Sequence, residues 1–187
     1  MNAQIDISTT ILKTERLILR PWKQTDLDDL FAYACVDGVG QMAGWLPHET
    51  KETSQMILDM FIEGKQTFAL EYQGKVIGSI GIEKYIETEL PECQHLQGRA
   101  IGYVLSKEYW GQGFMPEAVQ KVIAYLFDDV HLDFIACGYF LRNRQSARVQ
   151  EKCGFSFVKE VVHTTRYGTQ EATNLNILWA KEYYTKK

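Results

Sequence analysis

A glycine turn is the part of this sequence best suited to bind a charged ligand. Gly111 and Gly113 follow an apolar segment and let the backbone bend sharply close to a ligand. Pro116 then stands where a helix is expected to begin. Neither Phe114 nor Met115 has a side chain that would cap the first amides of that helix. Uncapped amides at the positive end of a helix dipole predict an anion site, above all for phosphate.

Two common phosphate-binding motifs do not describe this turn. No Gly-Lys-Ser/Thr follows it, so it is not a Walker loop, and it lacks the third glycine and later acidic residue of a dinucleotide fingerprint. An ordinary strand-to-helix connection is the alternative interpretation.

A second block, NRQSARVQEKCGF at 143–155, favours a ligand site. It is predicted to form a short helix that Asn143 caps and Gly154 ends.

The spacing of apolar residues predicts the elements that must position these groups. Met56, Ile57, Met60 and Phe61 share one face of a predicted helix, which is expected to face the core. Strands are predicted at 16–22, 67–72, 75–83, 99–106, 134–140, 157–166 and 174–180, and helices before residue 38 and at 52–63, 116–127 and 142–155.

This order of elements predicts a mixed α/β (α+β) domain with one continuous, mostly antiparallel sheet. A chain of 187 residues suits a single domain, 1–187, in which residues 1–13 form a short N-terminal arm. The segment 84–98 carries Glu87, Glu89 and Glu92, and it predicts either a solvated loop or a negative rim that attracts a cationic amine.

Bulk properties exclude several classes of function. A net charge of −4 argues against a nucleic-acid partner, and no apolar stretch reaches the ~20 residues of a membrane span. The start of the chain has no signal-peptide pattern. The four cysteines and four histidines are dispersed, which predicts reduced thiols, a cytoplasmic location and no metal site.

Three blocks together resemble the GCN5-related N-acetyltransferases (GNAT), and in particular the branch of the ribosomal-protein N-terminal acetyltransferases. They are TERLILRPW at 14–22, IGYVLSKEYWGQGFMPEA at 101–118 and NRQSARVQEKCGF at 143–155. The resemblance spans about residues 14–180. It implies a sheet with two splayed strands flanked by helices, and acetyl-coenzyme A as the cosubstrate.

The resemblance also implies how the coenzyme would be held. Trp110 and Met115 replace a polar and a small residue of the family pattern, but backbone amides do the binding. The pyrophosphate is expected on the amides of Gln112, Gly113, Phe114 and Met115, the pantetheine arm along the backbone of Tyr103, Val104 and Leu105, and a further contact at Asn143.

Acyl transfer to an amine needs a base, a polarised thioester carbonyl and a proton for the departing thiolate. The family often uses a tyrosine as the acid, but Gln150 stands at that position, so Ser146 is expected to replace it. Glu83, at the end of a hairpin strand, is the expected base, with His48 and His163 as alternatives. The strand amide near Val104 is expected to bond the carbonyl oxygen.

The leading hypothesis is therefore an acetyl-coenzyme A-dependent N-acetyltransferase whose acceptor is a protein N-terminus or a small amine. Transfer would be direct, because Cys137 and Cys153 lack the motif partners of a nucleophile. The alternatives are an acyl-coenzyme A-binding sensor or scaffold without turnover, favoured by Gln150, and a nucleotide-binding regulatory domain. The resemblance is compatible with a monomer or a homodimer.

Overall fold

The structure is a computed structural model that describes residues 1–185. Within that part of the chain, eight strands form one sheet in the order β1-β2-β3-β4-β5-β6-β8-β7. The strands are β1 (Leu12–Lys13), β2 (Ile18–Pro21), β3 (Thr67–Tyr72), β4 (Lys75–Glu83), β5 (Gly98–Leu105), β6 (Phe134–Phe140), β7 (Ser156–Thr164) and β8 (Gln170–Trp179). The helices are α1 (Leu27–Ala34), α2 (Lys51–Gly64), α3 (Phe114–Ala124), α4 (Arg144–Lys152) and α5 (Ala180–Thr185).

The strands β5 and β6 separate after a short parallel contact. They pair only from Gly98–Phe134 to Ala100–Ala136, whereas all other neighbouring strands are antiparallel. Beyond that point β5 stays paired with β4 as far as Leu105, and β6 stays paired with β8 as far as Phe140. The sheet therefore opens into a wedge, which confirms the predicted fold class with splayed strands.

Helices cover both faces of the sheet. Val119 and Val122 of α3 are fully buried against one face, in a cluster that also holds Ile80 of β4. Leu30 of α1 and Leu58 of α2 belong to a separate cluster on the other face. Since alternate strand residues point to opposite faces, neighbouring residues of β5 contribute to different layers of the molecule.

The prediction that the Met56 face of α2 is core is wrong for the two methionines. Met56 and Met60 are 62% and 58% exposed, whereas Ser54 and Leu58 are buried and Ile57 is half-buried. The helix packs mainly against α1, with further contacts to β3 and to the turn before α1, and the two methionines lie on the side that faces solvent. Helical spacing identifies a stripe, but the neighbouring helix decides which stripe is covered.

Two segments expected to be peripheral are packed against the domain. Ile5 and Ile7 of the N-terminal arm are buried in the main core, and Asn2 bridges to Gly98 at the start of β5. The polar connection before β5 buries Tyr85, while its glutamates stay exposed or half-exposed. None of the helices among residues 1–185 has the length and apolar character needed to cross a bilayer.

Candidate active site

A cavity of about 310 Å³ lies beside the end of β5 that has separated from β6. Its walls come from β5, from the glycine turn with the first residues of α3, and from α4. It is lined by eight of the residues expected to bind coenzyme or to act on it, namely Tyr103, Val104, Leu105, Gly113, Phe114, Met115, Asn143 and Ser146. Blocks far apart in the sequence therefore meet at one opening.

The glycine turn has the geometry that the sequence predicts, with one shift of register. Gly111 and Gly113 adopt φ values of 76° and 82°, in the region that favours glycine. The helix begins at Phe114, so Pro116 is its third residue and not its first. Because the first three amides of a helix have no partner within it, proline is tolerated there as well. No side chain caps this end of α3.

Arg16 holds the turn in place, which the sequence reasoning missed. Its guanidinium donates to the carbonyl oxygen of Gln112 at 3.0 Å and forms an ion pair with Glu117 at 2.7 Å. It also lies over the ring of Phe114, 4.0 Å from the ring centre. Gln112 itself does not line the cavity, and its side chain donates to the carbonyl oxygen of Glu108.

Trp110 has a structural role at the edge of β5. Its indole N–H donates to the carbonyl oxygen of Leu105 at 2.8 Å, which secures the end of the strand beside the glycine turn. The residue that departs from the family pattern therefore stabilises the cavity wall.

Asn143 caps α4, as predicted, and also ties a loop to the site. Its Oδ1 accepts from the backbone N–H of Ser146 at 3.0 Å, and its Nδ2 donates to the carbonyl oxygen of Met42 at 3.2 Å. Arg142 donates to the carbonyl oxygen of Gln41 at 2.9 Å. The segment Gly40–Ala43 is thus held over the wedge by two neighbouring residues, a contact that no local sequence signal indicated.

Ser146 belongs to a chain of buried polar side chains. Its Oγ lies 2.8 Å from the hydroxyl of Tyr103 and accepts from Nε2 of Gln150 at 3.4 Å. The same Nε2 donates to the carbonyl oxygen of Gly138 at 3.1 Å, and Oε1 of Gln150 accepts from Nδ2 of Asn176 at 2.8 Å. Burial raises the pKa of Tyr103 well above its ordinary value of 10. Tyr103 was expected to contribute only its backbone.

Glu83 lies outside this cavity but borders two others, of about 250 and 290 Å³. Its carboxylate rests over Gly81 and Gly102, which face each other across β4 and β5. A methyl group at either glycine would stand 3.3 or 3.4 Å from Oε1 of Glu83. Tyr103 lines all three cavities, and the cavity of about 250 Å³ is lined by both Glu83 and Ser146.

The two histidines considered as alternative bases each border one of those two outer cavities. His48 borders the larger one and is buried, with Nδ1 2.7 Å from Oγ of Ser54. Burial, and secondarily the charge of Arg166, lowers the pKa of His48. His163 borders the smaller one, beside the ring of Phe140.

The cysteines near the wedge are poor nucleophiles. Burial raises the pKa of Cys153 to about 12, and burial also raises the pKa of Cys137. A thiol that stays protonated does not attack a thioester at neutral pH. Within residues 1–185, no three His, Cys, Asp or Glu side chains are grouped as a metal ion would require.

Comparison with known proteins decides the family. Residues 16–156 match the acetyltransferase (GNAT) domain. The chain is 34% identical over 152 residues to YoaA, an uncharacterized N-acetyltransferase of Bacillus subtilis (strain 168), with 78% of this chain and 82% of that protein covered. The chain belongs to the GNAT acetyltransferase family.

Solved structures of GNAT enzymes share the fold at low sequence identity. The ribosomal-protein-S5-alanine acetyltransferase of Vibrio fischeri is 21% identical, with a TM-score of 0.70 over 93% of this chain and 98% of that chain. The spermidine N-acetyltransferase of Vibrio cholerae, in complex with CoA and spermine, is 18% identical, with a TM-score of 0.72 over 90% and 98%. The resemblance to the GNAT family is confirmed.

The GNAT domain uses acetyl-coenzyme A, and the residues in the wedge fit that cosubstrate. The open start of α3 offers amides to phosphate oxygens, as a helix N-terminus does for anions. Arg148 and Lys152 of α4 line the same cavity, and neither forms an ion pair within the described part of the chain. The protein is therefore an acetyl-coenzyme A-dependent acetyltransferase.

Proposed function

We propose that this GNAT enzyme transfers the acetyl group directly to a primary amine, with Glu83 as the base. The paired hydroxyls of Tyr103 and Ser146 supply the proton that the departing sulfur takes up. The observation that carries the proposal is the shared border of the three cavities. A carboxylate lies on one side of the opening at Tyr103 and a pair of hydroxyls on the other.

In this proposal each residue acts on one atom of the reaction. Acetyl-coenzyme A supplies the acetyl group as a thioester. Glu83 removes a proton from the acceptor nitrogen, directly or through water, so that the nitrogen can bond to the carbonyl carbon. A backbone N–H of β5 next to Val104, on the edge that does not pair with β4, donates to the carbonyl oxygen as negative charge develops there. The hydroxyl pair returns a proton to sulfur as the carbon–sulfur bond breaks.

The acceptor is either a protein N-terminus or a small amine. Both kinds occur among the related folds, since one of the solved structures is named for a ribosomal protein and another for spermidine. The carboxylate of Glu83 suits either kind of acceptor, because a protein N-terminus and a small amine are both cationic before reaction. The four free thiols favour a cytoplasmic location.

The test is amine-dependent release of coenzyme A from acetyl-coenzyme A, measured with spermidine and with peptides that begin in Ala or Ser. We expect turnover with at least one class. The Glu83→Gln enzyme should lose roughly 10²-fold or more in kcat, because a positioned base contributes about that much. Its thermal stabilisation by acetyl-coenzyme A should be unchanged, since Glu83 does not line the coenzyme cavity.

Glu160→Gln is the matched control, because Glu160 is an exposed strand carboxylate on β7. It should retain the kcat of the parent enzyme. Stabilisation by acetyl-coenzyme A without coenzyme release from any amine would contradict the proposal and favour a binding module without turnover.

A further inference from the structure

The side chain of Tyr103 stands at the end of a directed hydrogen-bond chain. The carbonyl oxygen of Gly138 can only accept, so Gln150 must turn Nε2 toward it. The second N–H of that amide then points to Oγ of Ser146, which accepts it. Gln150 therefore determines the direction of the bonds that follow.

That direction leaves the proton of Tyr103 available. With Oγ of Ser146 accepting from Gln150, the nearest acceptor for the Ser146 proton is the phenolic oxygen of Tyr103, 2.8 Å away. The phenolic proton is then directed elsewhere. At rest it faces the carbonyl oxygen of Ser146 at 3.3 Å, a long bond that is easily exchanged for a better acceptor.

We propose that Tyr103 is the residue that protonates the departing sulfur of coenzyme A, and that Ser146 is a positioning residue that donates a hydrogen bond to the phenolate. The inference rests on the proposed function. As the carbon–sulfur bond breaks, its electron pair goes to sulfur and the phenolic proton follows. The phenolate accepts the bond from Ser146 and is reprotonated from solvent.

The surroundings of Tyr103 keep it in the acidic form. Its high pKa, caused first by burial, leaves the phenol protonated across neutral and mildly alkaline pH. Glu83, His48 and His163 border cavities that Tyr103 also lines. The titratable groups that raise its pKa are the thiols of Cys137 on β6 and Cys153 after α4, and burial raises the pKa of both. Neither carries charge at neutral pH, so neither competes for the proton.

The experiment compares Tyr103→Phe with Ser146→Ala in amine-dependent coenzyme release. Tyr103→Phe should lose roughly 10²-fold in kcat, as expected for a missing general acid, with KM for acetyl-coenzyme A changed by less than about threefold. Ser146→Ala should lose only about tenfold, the value of one hydrogen bond to a charged group. Tyr125→Phe, a half-buried tyrosine packed on Phe68, is the matched control and should keep the parent kcat.

Replacement of Tyr103 by 3,5-difluorotyrosine supplies a readout that a structural role would not move. This phenol has nearly the same shape and is more acidic, so the alkaline limb of kcat should shift to lower pH. Two results would overturn the proposal and make Ser146 the direct donor. One is an alkaline limb that does not move in the difluorotyrosine enzyme. The other is a Tyr103→Phe enzyme that stays within about threefold of the parent kcat while Ser146→Ala is inactive.

A binding measurement separates this inference from the proposed function. At pH 9, Tyr103→Phe should bind coenzyme A about tenfold more weakly than the parent protein, because the bond to the thiolate is lost. Its affinity for desulfo-coenzyme A, which lacks the sulfur, should be unchanged. Equal effects on both ligands, or no effect on either, would refute the role of Tyr103 whether or not the protein acetylates amines. Absence of amine turnover with the expected binding difference would refute only the proposed function.

Discussion

At the scale of single residues, Arg20 of β2 makes a largely buried ionic contact with two carboxylates. It is only 8% exposed, and its two terminal nitrogens bond both oxygens of Asp26 at 2.8 and 2.9 Å. Its Nε bonds Glu71 on β3 at 2.5 Å. The partly buried guanidinium therefore joins β2, β3 and the turn before α1, and both carboxylates raise its pKa.

Arg20→Leu should lower the free energy of unfolding by about 3 kcal/mol, because removing one partner leaves the buried carboxylate of Asp26 without a countercharge. Urea unfolding monitored by circular dichroism measures this. Lys51→Gln is the comparison, since the pair between Lys51 and Asp28 is exposed on both sides. It should cost less than about 1 kcal/mol, and equal losses in the two variants would contradict the assignment.

At the scale of elements, the turn into α3 combines a backbone constraint with a proposed role in binding the coenzyme. Gly113 has φ of 82° and directly precedes the open helix end. Gly168, in the turn between β7 and β8, has φ of 84° and lies away from the wedge. The two glycines therefore impose the same backbone demand, but of the two only Gly113 lines the cavity proposed to hold the coenzyme.

Gly113→Ala and Gly168→Ala should each lower the free energy of unfolding by about 1 kcal/mol, the cost of a left-handed conformation for a residue with a Cβ. Only Gly113→Ala should also weaken the binding of acetyl-coenzyme A, by roughly tenfold, because relaxation of the turn changes the direction of the first N–H groups of α3. Thermal shift against coenzyme concentration measures both effects. Equal coenzyme affinity in the two variants would argue against amide binding.

At the scale of the whole molecule, His48 makes stability depend on pH. Its backbone N–H donates to Ala34 at the end of α1, and its ring bonds Ser54 of α2. Because its pKa is lowered in the folded protein, the unfolded chain binds a proton that the folded chain does not as pH falls below about 6.5. The stability contributed by neutral His48 is present above that pH and is lost below it.

His48→Asn should flatten the decline in unfolding free energy between pH 7.5 and 5.5, since asparagine can keep a bond to Ser54 without titrating. His95→Asn, at an exposed position, should leave the decline as it is in the parent protein. Urea midpoints at several pH values measure the difference. A slope unaffected by His48→Asn would show that other groups cause the pH dependence.

Local interactions explain what could be predicted from the sequence. The hairpin of β3 and β4 turns at Gln73 and Gly74, whose φ values of 51° and 81° suit a two-residue turn. The Asn143 cap and the glycine turn likewise involve neighbours in the chain, whose geometry follows from residue type. The three family blocks then identified the acetyltransferase and its cosubstrate.

Contacts between distant residues decided the rest. Tyr103 and Ser146 are 43 positions apart, and only the separation of β5 from β6 brings their hydroxyls together. The glycines beneath Glu83 come from two strands, and the exposure of Met56 depends on how α2 crosses α1. The sequence by itself determined the elements, the family and the glycine turn, because those depend on local spacing. The tertiary structure alone decided where the hydroxyls of Tyr103 and Ser146 and the carboxylate of Glu83 lie, because their positions depend on which strands and helices pack together.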